Sequence, residues 1–162
     1  MNDGAALREA VLAMLAAHNT MTLATANAAG EPWAATVFYA SDRELNLYFV
    51  SDARTRHGQD LAAGGRLAAA INPDCGTWNE VRGLQLAGRV DVLTGTARLA
   101  GLKHYLAKFA DVRTLFQKPR DANERTIAER LKAANLYCLR PSFIRLIDNS
   151  RWFGYKEELR LD

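Results

Sequence analysis

Apolar positions at Leu7, Val11, Met14 and Leu15, with His18 continuing the spacing, recur every three to four residues and predict an amphipathic helix over about 4–18. The period then shortens to two. "TMTLATAN" (Thr20–Asn27) ends at the turn-prone "AAGEP", and "WAATVFYA" follows (Trp33–Ala40). "SDRE" separates it from "LNLYFVS", which reads as a hairpin. A short helix is expected over about Arg56–Ala63, closed by Gly64 and Gly65, because glycine tolerates the left-handed backbone of a helix end. "RLAAAIN" reads as a small-residue strand stopped by Pro73. "VRGLQLAGRVDVLTG" alternates most clearly: Leu84, Leu86, Val90 and Val92 face one way, and Gln85, Arg89 and Asp91 the other. Gly88 in its middle suggests a bend or bulge.

A helical stretch comes next, over about 96–134. Leu99, Leu102, Leu106 and Phe109 share one face. Asp121, with Glu124 three residues on, caps a helix carrying Ile127, Leu131 and Ala134. "NLYCLRPSFIRLIDN" and "RWFGYKEELRL" close the chain as strands. Helix, meandering strands, helices and closing strands do not alternate as a parallel α/β sheet requires. The order predicts one domain over 1–162, mainly β with flanking helices (α+β), built as a small antiparallel barrel.

Composition narrows the function classes. The 162 residues are 49% hydrophobic and 24% charged, a globular balance, and the net charge of +3 without a Lys/Arg run does not point to nucleic acid. The opening residues carry Asp3, Arg8 and Glu9, no basic leader is read there, and no apolar run is long enough to span a bilayer. A cytoplasmic protein with no membrane partner is expected. Cys75 and Cys138 are too few for a disulfide framework, which suits a reducing compartment. With His18, His57 and His104 scattered, no metal site is expected. No Gly-x-Gly-x-x-Gly or Gly-x-Ser-x-Gly is present. Asp121, Arg125 and Glu129 form a solvated helix face, and His104 is a surface histidine.

The candidate chemistry lies in "SDARTRHGQD". A phosphate monoester is best held by guanidinium forks, a hydroxyl and backbone N–H groups at a helix start. Arg54 and Arg56 supply forks, Ser51 and Thr55 hydroxyls, and His57 falls in the first helical turn. The alternative for such an arginine pair is solvated surface. An aromatic strand (Tyr48, Phe49) enters this turn and small-residue strands leave it, which frames a slot for a flat ligand.

The run "WAATVFYASDRELNLYFVSDARTRHGQDLAAGGRLAAAINP…VRGLQLAGRVDVL" resembles the pyridoxamine 5′-phosphate oxidase-like FMN-binding split barrels, with the helical middle outside the likeness. The resemblance implies a Greek-key-like split barrel. It implies FMN as cofactor, with Thr55, Arg56 and His57 as the phosphate segment and Arg54 and Ser51 in support. The ring would lie against the backbone of Ala35, Thr36, Val37, Phe38, Val50 and Ser51. Asn72-Pro73 and the mid-strand Gly88 match the family order. Trp78 would either flank the ring or anchor its loop. The resemblance also implies a homodimer whose "DNSRWFGY" end reaches the partner's site, with Trp152, Phe153 and Tyr155 as interface core or pocket lid.

This chain departs from the vitamin-pathway oxidases at several positions. Ala35 and Ala40 stand where those have Arg or Lys, Gly83 falls on their Gln with Gln85 as a shifted substitute, and His57 replaces a lysine. The basic C-terminal motif for the pyridoxal substrate is absent from "SRWFGYKEELRL". The expectation is an FMN-dependent oxidoreductase-like protein acting on a small redox substrate other than pyridoxamine phosphate. The alternatives are a non-catalytic flavin or haem carrier on the same fold, or a deazaflavin-dependent reductase.

Overall fold

A computed structural model describes residues 3–62 and 64–161. The opening helix, α1 (Asp3–Ala17), buries Leu7, Val11 and Leu15 against the barrel, so the helical spacing read from the sequence is its packing stripe. The next strands are β1 (Thr20–Ala26), β2 (Pro32–Ser41) and β3 (Leu47–Ser51), then α2 (Arg56–Asp60). The expected helix end at Ala63 lies outside the described residues. The strands β4 (Gly65–Ile71) and β5 (Arg82–Val92) precede α3 (Gly95–Lys108), α4 (Ala110–Gln117) and α5 (Ala122–Ala133), and β6 (Asn135–Asp148) and β7 (Lys156–Arg160) close the chain.

The sheet order is β3-β2-β1-β4-β5-β6-β7, every pairing is antiparallel, and β3 also pairs with β6. That last pairing closes a six-stranded barrel and leaves β7 on the flank. β4 lies beside β1 after the β1-β2-β3 meander, the spatial order of a Greek key. Closure pairs β3 with β6, where it would otherwise be a free edge, and inward side chains such as Leu23, Phe49, Leu86 and Leu139 make the core.

The long strand behaves as its alternation predicts: Leu84, Leu86 and Val90 are buried, while Gln85 and Arg89 are exposed. Between Ala87 and Gly88 the register shifts, since Ala87 faces Phe143 and Gly88 faces Pro141, so Ser142 is the extra residue of a β-bulge.

The structure departs from the sequence pattern at four places. Leu99, Leu102, Leu106 and Phe109 are not the most buried face of their helix, although Leu102 packs against Leu93, Leu136 and Cys138. Leu99 is exposed, and Gly101 and Tyr105 turn inward instead, because Gly101 lies within contact of Leu93, Tyr48 and Leu136 and lets α3 approach the barrel. That helix also breaks at Phe109, which separates α3 from α4. In the β2–β3 hairpin, Leu45 belongs to the turn and not to a strand. Its φ of 69° is the left-handed region, and full burial of its side chain holds it there. Finally, Trp152 to Gly154 form a turn before β7. Only Tyr155 of the terminal aromatics is buried, while Trp152 and Phe153 stay exposed.

Lys108 ties the insertion to α1. Its ammonium donates to the carbonyls of Leu15 (3.3 Å) and His18 (2.5 Å) and sits over the Tyr39 ring at 4.2 Å. Burial lowers its pKa to about 8, while the carbonyls and the ring face favour the cation.

Candidate cofactor site

The basic turn is organised by its own side chains. Thr55 caps α2: its hydroxyl oxygen accepts from the Gly58 N–H (3.1 Å), and its proton goes to the Asp52 carbonyl (2.8 Å). Gly58 is required there, because an added Cβ would come within 2.5 Å of that same carbonyl. Asp52 holds Arg54 through both carboxylate oxygens, which lowers the Asp52 pKa to about 2 and commits the Arg54 fork. Arg56 is less occupied. Its guanidinium lies over the Trp33 ring at 4.7 Å, and the carboxylate of Glu31 is 4.0 Å away.

His57 points inward from this turn. Its Nε2 is 2.6 Å from the Ser51 hydroxyl and 3.2 Å from that of Thr55. Thr55 has already given its proton to Asp52, so the tautomer that satisfies both contacts carries hydrogen on Nε2 and donates. The Ser51 proton is then free to point elsewhere. Burial lowers the His57 pKa, and the nearby Asp60 carboxylate opposes this. Asp60 is itself engaged by the Thr25 hydroxyl at 2.7 Å. The neutral ring is therefore favoured by the fold.

A depressed pKa on a base means that the folded chain binds fewer protons than the unfolded one between the two values. Stability contributed by neutral His57 is present above pH 6.5, the unfolded value, and is lost as pH falls through the folded value. Urea midpoints measured from pH 7.5 down to pH 5 are expected to fall more for the wild type than for His57→Gln. Parallel curves would show that His57 does not contribute.

Ser51 and His57 open onto a cavity of about 470 Å³, a size suited to a small organic ligand. One wall is barrel and the basic turn: Thr20, Thr36, Val37, Phe38, Val50 and Ser51, with Asp52 and His57. The other is the helical insertion and its exit: Tyr105, Ile127, Arg130, Leu131 and Ala134. The lining is mostly apolar, with hydroxyls and one arginine at defined points.

Of the residues expected from sequence, the structure brings Thr36, Val37, Phe38, Val50, Ser51 and His57 into this cavity. Arg54, Thr55 and Arg56 form the adjoining turn. Ala35 is not in the lining; it pairs with Leu23 and shares that core residue's row. Gln85 is exposed on β5, where its side-chain oxygen accepts from Arg145 (3.3 Å). Trp78 stays exposed, edge-on to Phe153 at 5.8 Å, and its carbonyl accepts from Asn149 (2.9 Å). The second wall was missed. Ile127, Leu131 and Ala134 recur on one helix face, but nothing local in the sequence shows that this face is turned to a cavity. Arg130 beside them was the available signal, a cation next to an apolar stripe.

A barrel of this topology with a cavity over β2 and β3 defines a class, the split-barrel proteins. The family model "Pyridoxamine 5′-phosphate oxidase" matches residues 7–138, and the chain belongs to that family. A UPF0306 protein of Klebsiella pneumoniae is 29% identical over 133 residues, covering 82% of this chain and 79% of that one. Among solved structures, a heme binding protein from Mycobacterium smegmatis superposes with a TM-score of 0.68 at 19% identity. That match covers 94% of this chain and 56% of the other. HutZ, the heme storage protein of Vibrio cholerae, gives 0.61 at 14% identity over 87% of this chain and 91% of its own. At these identities the structural likenesses establish the fold. No helix among the described residues is long and apolar enough to cross a membrane.

Proposed function

We propose that this chain is an FMN-binding, oxidoreductase-like protein of the family, with the flavin seated in the cavity between β2–β3 and the helical insertion. The carrying observation is that Thr36, Val37, Phe38, Val50, Ser51 and His57 converge on one cavity, with the basic turn at its edge. The residues suit the group. Apolar side chains provide flat contact, the Ser51 hydroxyl has a proton to donate, and Arg56 is the cation of the turn least committed to a carboxylate. Arg54 is held by Asp52, so Arg56 carries the greater share of phosphate recognition in this reading. When bound, FMN supplies the redox chemistry. The chain binds it, orients it and keeps water from the apolar wall. No protein acid or base is assigned, because hydride transfer depends mainly on orientation.

A homodimer completes the proposal. The outer faces of β1, β2 and β4 present Thr22, Ala24, Ala34, Thr36 and Ala68, small exposed residues in register that allow close approach of a second sheet. A cytoplasmic setting accords with the unpaired cysteines, Cys75 and Cys138.

The test is the visible spectrum of the purified protein after FMN addition and desalting, with light scattering on the same sample. A retained flavin spectrum and twice the chain mass of 17.9 kDa are expected. A colourless protein would overturn FMN as the held ligand. A haem spectrum after the same treatment with haem would favour a haem carrier.

A further inference from the structure

A second cluster of cations lies on the outer barrel face. Arg66 on β4 pairs in register with Arg89 on β5, and Arg89 with Arg140 on β6, so that three guanidinium groups share one cross-strand row. All three residues are exposed. Like charges placed directly opposite each other destabilise a sheet. Asp91 offsets part of the cost: it pairs with Arg140, and its other oxygen is 3.7 Å from Arg89. Arg66 makes no ion pair among the described residues. One carboxylate therefore answers three cations.

The row also has shape. Arg66, Arg89 and Arg140 line a concavity of about 380 Å³ together with Gly65 and Ser142. Ser142 is the bulge residue, whose hydroxyl reaches only the Ala87 carbonyl at 3.4 Å. The bulge thus places a weakly engaged hydroxyl beside the forks. Adjacent strands are about 4.8 Å apart, so the outer arginines originate about 10 Å from each other. A single phosphate is short for that row, whereas two or three linked phosphates can meet successive forks bidentately.

We propose that Arg66, Arg89 and Arg140 form a binding site for a small-molecule di- or triphosphate group, separate from the cavity at His57. Arg66 is the diagnostic residue, because it has no carboxylate to return to when the anion leaves.

The probe is pyrophosphate, read by calorimetry and thermal denaturation on the full chain at low salt. Wild-type protein is expected to bind it and to gain thermal stability. In Arg66→Gln the affinity should fall by about tenfold or more, as expected for loss of a charge-assisted contact. The unliganded Arg66→Gln protein should melt no lower than wild type, since a like-charge pair has been relieved, which separates binding from folding. Adding FMN, which would fill the phosphate site proposed at Arg56, should leave the Arg66-dependent binding of pyrophosphate unchanged. No binding by wild type would overturn the proposal, as would equal binding by Arg66→Gln. An equal thermal shift with sodium chloride at matched ionic strength would likewise reduce the row to a nonspecific charge effect.

Discussion

Gly88→Ala is expected to destabilise the fold by about 3 kcal/mol or more, near the upper end of overpacking substitutions. A Cβ at this position would lie 2.2 Å from the Arg140 carbonyl oxygen and 2.6 Å from the Pro141 Cα. Both obstacles are backbone of the paired strand, so no side-chain rotation relieves them. Relief requires β6 to move, and β6 is the strand that closes the barrel on β3 and carries β7. Denaturant midpoints compared with those of Gly76→Ala test this. At Gly76 an added Cβ would meet only the Glu80 carboxylate, at 3.8 Å, and a change within about 0.5 kcal/mol is expected there. Equal midpoints for the two variants would show that the bulge can absorb a methyl group.

Arg56→Ala is expected to weaken FMN binding by at least about tenfold while leaving the denaturation midpoint within about 0.5 kcal/mol of wild type. A charge-assisted hydrogen bond to phosphate contributes about 1.5–3 kcal/mol, and Arg56 gives up only a partly exposed stacking contact when it is removed. Arg54→Ala provides the contrast. Its fork is already committed to Asp52, and its removal also frees that carboxylate beside the cavity, so a different response is expected. Released Asp52 would repel an incoming phosphate. The Arg54→Ala defect should therefore shrink in the double variant Arg54→Ala/Asp52→Asn, whereas Asp52→Asn should not rescue Arg56→Ala. Flavin fluorescence titrations of the four proteins separate direct contact from charge balance. Unchanged affinity in Arg56→Ala would remove it from the phosphate site.

The departures at the basic turn gain meaning from these contacts. A lysine at position 57 would be cationic at neutral pH, but the histidine found there is turned inward and held towards its neutral form by burial. It orders two hydroxyls and does not add positive charge. Positive charge across the cavity comes instead from Arg130 on α5, in the helical stretch that the likeness read from the sequence left out but that the family match over residues 7–138 includes.

Period and punctuation made much of this protein legible in its sequence. Two-residue alternation in "VRGLQLAGRVDV" follows from the pleat of a strand with one buried face, and Gly88 marked its bulge because a side chain is not tolerated there. Asp121 was readable as a helix start, since capping is local chemistry. The types and order of residues in "SDARTRH" pointed to an anion for the same reason. Other features required tertiary structure. Whether an arginine is available depends on its neighbours, and only folding showed Arg54 paired with Asp52 while Arg56 lies on Trp33. The inward turn of Gly101 and Tyr105 in place of Leu99 depended on how closely α3 could approach the barrel. The second cavity wall and the Arg66-Arg89-Arg140 row join residues far apart in the chain. Sequence patterns record which face of an element is apolar, but the register between strands and the surface a helix meets arise only when the barrel closes.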